Sequence, residues 1–125
     1  MAKHFSGIGG MVSSDEVTAD YESAEVFGKF RVGKTGVFFP YDLRTKYLSY
    51  DGIDRVFVRI QEVNGKLCCG SAVFTYYRIV FVRDGREFID YISEDEKLVD
   101  RVLEAIAAAA PGIAVGYVAG GNEEQ

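Results

Sequence analysis

A literal match to a nucleotide-binding signature occupies the stretch GKFRVGKT, in which Gly28 is followed by Gly33, Lys34 and Thr35. In a phosphate-binding loop, a glycine-rich turn leads from a strand directly into a helix, whose first N–H groups and dipole hold the phosphate. The residues after Thr35 read GVFFP, a β-prone aromatic run closed by a proline, so no helix is predicted to begin there. We therefore interpret the match as accidental and the Gly33-Lys34 pair as a hairpin turn.

The densest group of basic side chains lies around the same turn. Such a group can hold a phosphate headgroup or an acidic peptide; the alternative is a solvated strand face that discourages pairing with other chains. The formal net charge of -5 argues against general affinity for nucleic acid. The candidate ligand-binding residues are Lys29, Arg31, Lys34 and Arg44.

No set of residues typical of catalysis or metal binding is recognisable. With His4 as the single histidine, the sequence offers no His-centred relay, and Cys68 and Cys69 do not complete four zinc ligands. We predict a protein that is not an enzyme and that binds no cofactor or metal ion. One enzymatic alternative stays open, a pocket lined by tyrosines, although tyrosines in strands more often serve packing. Its residues are Tyr47, Tyr50, Tyr76 and Tyr77.

Composition narrows the class of protein. The chain has 125 residues, of which 48% are hydrophobic and 14% aromatic, as is typical of one folded domain. No apolar run approaches the roughly 20 residues that cross a bilayer, so no transmembrane segment is predicted, and the N-terminus lacks the apolar core of a secretion signal. We expect a cytoplasmic protein with a single domain at residues 25–118, a flexible N-terminal segment at 1–24 and a flexible tail at 119–125.

From Val26 onward, alternating apolar and polar residues predict antiparallel hairpins. A two-residue turn at Gly33-Lys34 pairs Val32 with Thr35. The residues then predicted to share one buried face are Phe30, Val32, Val37 and Phe39.

A second hairpin is predicted at Asn64-Gly65, which is a strong type I′ turn signal. Its register pairs Ile60 with Cys69 and places Cys69 in the core. We expect Gly70 to bend the strand that follows, because an unbroken strand there would be unusually long.

A third hairpin is predicted about Asp84-Gly85, with Phe81 opposite Phe88. Its second face is apolar too, so the hairpin is either covered on both sides or exposes an apolar patch. We hypothesise that this patch is a surface for self-association or for a protein partner. Its residues are Val80, Val82, Ile89 and Tyr91.

After Ser93 the spacing of apolar residues changes to the 3.6-residue period of an α-helix. Ser93 to Glu96 has the form of a capping box, and Pro111 followed by Gly112 is predicted to end the helix. One apolar stripe must face the sheet core, and IAVGYV is expected to add a short extended segment. The stripe consists of Leu98, Val99, Val102, Leu103 and Ile106.

The blocks KYLSYDGIDRVFVRI, YYRIVFVRDGREFIDYI and EDEKLVDRVLEAIAAA follow one another in an order that resembles the bacterial pleckstrin-homology-like (PH-like) domains. The resemblance covers about residues 26 to 110. It implies an α+β, mostly β fold: a partly open antiparallel barrel of about seven strands, capped by one C-terminal α-helix. It also implies a binding scaffold rather than an enzyme.

In the lipid-binding eukaryotic members of that fold, basic residues on the first two strands and their connecting loop bind inositol phosphates. Lys29, Arg31 and Lys34 match the first strand and its loop, whereas the second strand, GVFFP, has no Lys or Arg. The leading hypothesis is therefore a binding or assembly module that recognises a protein segment through a strand edge or an apolar patch. The alternative is phosphate or lipid headgroup binding through the basic first hairpin, with peripheral membrane contact less favoured.

Overall fold

A computed structural model describes residues 4–7, 10–67 and 70–118. Within them the fold is α+β and mostly β, as expected, with ten strands and two helices. The strands are β1 (Phe5–Ser6), β2 (Met11–Val12), β3 (Glu25–Phe27), β4 (Phe30–Val32), β5 (Gly36–Tyr41), β6 (Arg44–Ser49), β7 (Arg55–Leu67), β8 (Gly70–Arg83), β9 (Arg86–Ser93) and β10 (Ala114–Val118). The helices are α1 (Asp15–Ser23) and α2 (Glu96–Ala109), and a single 3₁₀ turn spans Tyr50–Gly52.

The strands form two sheets. The first sheet has the order β2-β1-β6-β5-β4-β3, and the second has the order β10-β7-β8-β9. Neighbouring strands are antiparallel except for β1 with β6 and β10 with β7, which are parallel. The described residues thus contain more strands than the seven predicted and one helix more, because the N-terminal segment and the chain after α2 both add elements.

The main core lies where the two sheets and α2 meet. The rings of Phe30 on β4 and Phe39 on β5 are nearly parallel, with centroids 5.2 Å apart. The ring of Phe81 on β8 continues this stack 5.5 Å from Phe39. Aromatic pairs at such distances add to the free energy gained from burial alone. These three rings join the first sheet to the second.

The C-terminal helix matches its predicted stripe but begins later than expected. The Asp95 carboxylate, rather than the Ser93 hydroxyl, accepts the capping hydrogen bond from the Leu98 N–H at 3.2 Å. Ser93 instead accepts from the Asp95 N–H at 3.1 Å. The helix ends before Pro111, as predicted. Four stripe residues are buried in the main core and the fifth packs partly buried against it; they are Val99, Val102, Leu103, Ile106 and Leu98.

The predicted register of the first hairpin is wrong by two residues. Val32 pairs with Val37, not with Thr35. The Gly33 N–H donates to the Gly36 carbonyl at 2.9 Å, which closes a longer loop than the predicted two-residue turn. A shift of two residues preserves the side on which each side chain lies. The predicted buried face is therefore confirmed, and all four of its members lie in the main core.

The predicted turn at Asn64-Gly65 is wrong. β7 continues to Leu67, which pairs with Gly70, and Ile60 lies opposite Tyr77. This register sets Val56 and Val58 of β7 against two large apolar residues of β8 in the core, where the predicted register offered Val73 and Ser71. Burial of apolar area favours the observed pairing. Gly70 begins β8 instead of bending it, and the expectation for Cys69 lies outside the described residues.

The turn at Asp84-Gly85 is confirmed, and both residues have the positive φ of a type I′ turn, 54° and 76°. A bulge, however, shifts the register between β8 and β9, so that Phe81 lies opposite Ile89 instead of Phe88. One extra residue in a strand reverses the side on which every following side chain lies. This bulge therefore determines on which face of the second sheet each residue of the predicted apolar patch lies.

The N-terminal segment, predicted to be flexible up to residue 24, contains β1, β2 and α1. The Ser14 hydroxyl caps α1 by accepting the Val17 N–H at 3.1 Å. Phe5 is buried with Phe38 and Tyr47 against the face of the first sheet opposite the main core. The predicted tail at 119–125 lies outside the described residues. Neither helix of the described part has the length and apolar character needed to span a membrane.

We predict that Ile106→Ala lowers the free energy of unfolding by about 2–5 kcal/mol, because it leaves a cavity where α2 meets both sheets. Glu104→Ala on the exposed side of the same helix should change it by less than about 0.5 kcal/mol. Urea denaturation measures both. Equal losses in the two variants would show that the α2 stripe does not anchor the fold.

Candidate functional site

The loop that matched the nucleotide signature is already occupied by a carboxylate of the same chain. The Asp20 carboxylate accepts hydrogen bonds from the Lys34 N–H at 2.6 Å and from the Thr35 N–H at 3.0 Å. It also accepts from the Thr35 hydroxyl at 2.7 Å. Asp20 lies on α1 and is buried. We call this contact between α1 and the loop before β5 the Asp20 latch.

The Asp20 latch uses Gly33, Thr35 and the backbone of Lys34 without a phosphate. The backbone N–H groups of the loop point at an anion, which is the arrangement that oxyanion-binding loops use, but the anion is a side chain. The loop then leads into β5 and not into a helix. Gly33 is required for a steric reason, because an added Cβ would collide with the Asp20 carboxylate.

Two tyrosines extend the latch into the first sheet. The Tyr47 hydroxyl lies 3.0 Å from the Thr35 hydroxyl, and the Tyr50 hydroxyl donates to the Gly33 carbonyl at 2.7 Å. Burial raises the pKa of Tyr50 well above its ordinary value, and the nearby Asp20 carboxylate raises it further. The Tyr50 hydroxyl therefore keeps its proton and its role as a donor. Tyr76 and Tyr77, which complete the predicted tyrosine pocket, lie on β8 of the other sheet.

The four predicted ligand-binding residues do not form one site. Lys29 and Arg31 line a pocket of about 230 Å³, whereas Lys34 lines a different one. The Arg31 guanidinium donates to the Tyr21 carbonyl at 3.0 Å and lies 4.1 Å from the centre of the Tyr21 ring. Arg44 points at the sulfur of Met11. Two of these cations are thus engaged within the protein.

The predicted apolar patch is divided between the two faces of the second sheet. The bulge in β9 turns Ile89 and Tyr91 toward the main core. Val80 and Val82 lie on the outer face, where they form a small buried cluster with Phe57. The four residues therefore do not present one exposed surface.

Arginine side chains cover the outer cluster. The guanidinium groups of Arg55 and Arg59 lie 4.9 Å and 5.3 Å from the centre of the Phe57 ring. Arg59 pairs with Glu87 at 2.5 Å. Arg78 pairs with Asp90 in the same way. Long basic side chains bury apolar surface along their stems while their charged ends stay in water. The cluster of Phe57, Val80 and Val82 is thereby buried.

An exposed strand edge is found at the distal end of β7 and β8. Pairing of β9 with β8 starts at Tyr77, and described pairing of β10 with β7 ends at Arg59. Beyond these points the two strands continue as a ribbon that we call the arm, residues 60–67 and 70–76. Within the described residues the arm strands pair only with each other. At about 3.3 Å per residue the arm extends roughly 25 Å.

The arm exposes apolar side chains. Val63 is 42% exposed, Val73 is 61% exposed and Phe74 is 37% exposed. Val63 and Phe74 lie opposite each other on one face of the ribbon, and Val73 lies on the other face. A ribbon of two strands is marginally stable in water, and its unpaired N–H and C=O groups are a template for another strand. The arm is the candidate functional site.

Neither the arm nor the Asp20 latch was found from the sequence. Asp20 lies in the segment predicted to be flexible, where no period marked α1. The arm was not predicted because the strong turn signal at Asn64-Gly65 led to a β7 that is too short. The alternation of apolar and polar residues holds only over residues 58–61 and breaks at Glu62-Val63, so no local period marked the arm.

Comparison with known proteins assigns the chain to a family. Residues 3–123 match the model of a family whose description is "Domain of unknown function (DUF6709)". Neither the curated proteins nor the solved structures contain a match to the chain.

We predict that Asp20→Ala lowers the free energy of unfolding by about 2–4 kcal/mol, because three partly buried hydrogen bonds to a charged acceptor are lost. Glu22→Ala, an exposed change on the same helix, should cost less than about 0.5 kcal/mol. Urea denaturation of both variants tests the latch. Similar values for the two would mean that α1 is not held by Asp20.

We also predict a loss of stability at alkaline pH that depends on Tyr50. An unfolded tyrosine titrates near pH ~10, and above that pH the unfolded chain releases a proton that folded Tyr50 keeps. The free energy of unfolding should fall as the pH rises from about 10 to about 12, and less steeply in Tyr50→Phe. Denaturation along this pH range gives both slopes; identical slopes would contradict the assignment.

Proposed function

The chain belongs to the DUF6709 family, and we propose that it is a non-enzymatic binding or assembly module that recognises an extended protein segment at the edge of the arm. One observation carries the proposal. The arm holds exposed apolar side chains next to backbone groups that no other described strand pairs.

The mode of recognition follows from strand geometry. An added strand satisfies the N–H and C=O groups along the edge, and the alternation of side chains provides specificity. Phe74 and Val63 offer an apolar surface on one face of the ribbon, and Val73 offers one on the other. The partner segment should therefore be extended and should carry β-branched or aromatic residues that reach both faces.

The rest of the fold supports the proposal as a scaffold. The base of the β7–β8 ladder is fixed in the main core by Val56, Val58 and Ile79, which are fully buried. An edge held by a rigid base loses less conformational entropy when it binds than a flexible segment does. We retain the PH-like domain as the proposed type of scaffold, since antiparallel hairpins precede the helix that closes the core.

Headgroup binding remains the competing hypothesis. The observation in its favour is the pocket of about 230 Å³ that Lys29 and Arg31 line together. Against it, Arg31 and Arg44 already contact the protein, and Lys34 lies at another pocket. A cation that is already paired gains less from an added phosphate, because the existing contact must first be broken. We therefore favour the arm.

Selection from a displayed library of random peptides tests the proposed function. We predict that the wild-type protein enriches extended peptides with apolar residues at alternate positions, and that Phe74→Lys weakens their binding about ten-fold or more. That loss corresponds to at least about 1.4 kcal/mol. The lysine places a charge at the exposed apolar face of the arm.

Two controls accompany this selection. Leu43→Lys adds the same charge at an exposed leucine far from the arm in sequence, in the turn between β5 and β6, and should leave the peptides bound. Lys29→Glu should also leave them bound, because Lys29 lies on the first sheet's side of the molecule. Peptides that bind Phe74→Lys as tightly as the wild type, or that are lost with Lys29→Glu, would overturn the proposed function.

A further inference from the structure

We propose that the segment recognised by the arm is the arm of a second copy of this chain, paired antiparallel along the edge of β8 about a two-fold axis. This inference rests on the proposed function and names its partner. Three features of the arm carry it: the charge of its two strands, the difference between its two edges, and the symmetry that an edge pairing with itself imposes.

Charge favours the distal part of β8 as the place where two copies approach. The chain carries a formal net charge of -5, which opposes the approach of two copies. Residues 70–76 read GSAVFTY and contain no charged side chain. Repulsion between identical strands is therefore absent along this edge, which also holds the exposed Val73 and Phe74.

The two edges of the arm differ. The β7 strand of the arm reads IQEVNGKL and includes Glu62 and Lys66. Charged residues on an edge strand are a common means by which proteins prevent unwanted strand addition. The β8 strand of the arm has no such residue. The edge of β8 therefore lacks this protection against strand addition.

Symmetry then limits the assembly to two copies. A two-fold axis perpendicular to the ribbon pairs the β8 edge with itself and produces the strand order β7-β8-β8-β7. Because the axis pairs the same edge of both copies, each β8 edge is used once and the interface is closed. The change from two to four strands also removes the marginal stability of the isolated ribbon.

The same axis brings residues near the middle of the strand close to their own copies. Val73 lies in the middle of residues 70–76, is 61% exposed, and so approaches Val73 of the second copy. A charge introduced at Val73 would face an identical charge across the axis. Opposite charges at this position in two different variants would instead attract each other.

Sedimentation velocity from micromolar to millimolar protein tests this arrangement, with a reductant present to exclude disulfides through Cys68 or Cys69. We expect a reversible monomer–dimer equilibrium in the wild type and in Leu43→Lys. Val73→Lys and Val73→Glu should each dimerise about ten-fold more weakly or not at all. An equimolar mixture of the two variants should recover the dimer. Thermal unfolding should show that both variants are folded.

The outcomes separate this inference from the proposed function. A wild-type protein that stays monomeric at millimolar concentration would overturn the inference, while the peptide selection would still decide whether the arm binds other proteins. A dimer that persists in Val73→Lys would place the interface elsewhere and overturn the pairing through β8. A mixture of the Lys and Glu variants that remains monomeric would overturn the two-fold arrangement about Val73.

Discussion

The unequal length of neighbouring strands governs this structure. β7 and β8 form a ladder that runs from Arg55 to Leu67, but β9 and the described part of β10 cover only the end of it that lies in the core. At that end, Val56, Val58 and Ile79 are fully buried between the sheets and α2. The register that buries them also extends the ladder past its neighbours, so the core and the exposed arm have the same physical origin.

The Asp20 latch applies a comparable constraint to the other side of the molecule. A single buried carboxylate on α1 fixes the loop before β5 through two backbone donors and one hydroxyl. With α1 in place, Phe5 and Tyr21 cover Phe38 on the face of the first sheet opposite the main core. A sequence that is typical of phosphate binding here serves the packing of a helix on a sheet. Short motifs acquire their chemistry only from the elements that flank them.

Sequence patterns predicted the features that depend on neighbouring residues. The apolar stripe of α2, the end of α2 before Pro111, the turn at Asp84-Gly85 and the buried face that includes Phe30 and Phe39 all follow from local spacing. Features that depend on contacts distant in sequence were not predicted. The predicted turn at Asn64-Gly65 does not form, because the observed register buries more apolar area around Val56 and Val58. The bulge in β9, which no residue type indicates, places Ile89 and Tyr91 on the core face.

Backbone amide hydrogen exchange, resolved by residue, tests the role of the arm most directly. Along residues 70–76 the amides that point away from β7 have no partner strand within the described residues, so they should exchange rapidly in dilute protein. In concentrated protein, or with a selected peptide bound, alternate amides of this strand should become protected while those of residues 86–92 stay unchanged. Protection that appears elsewhere and leaves residues 70–76 unchanged would contradict the account.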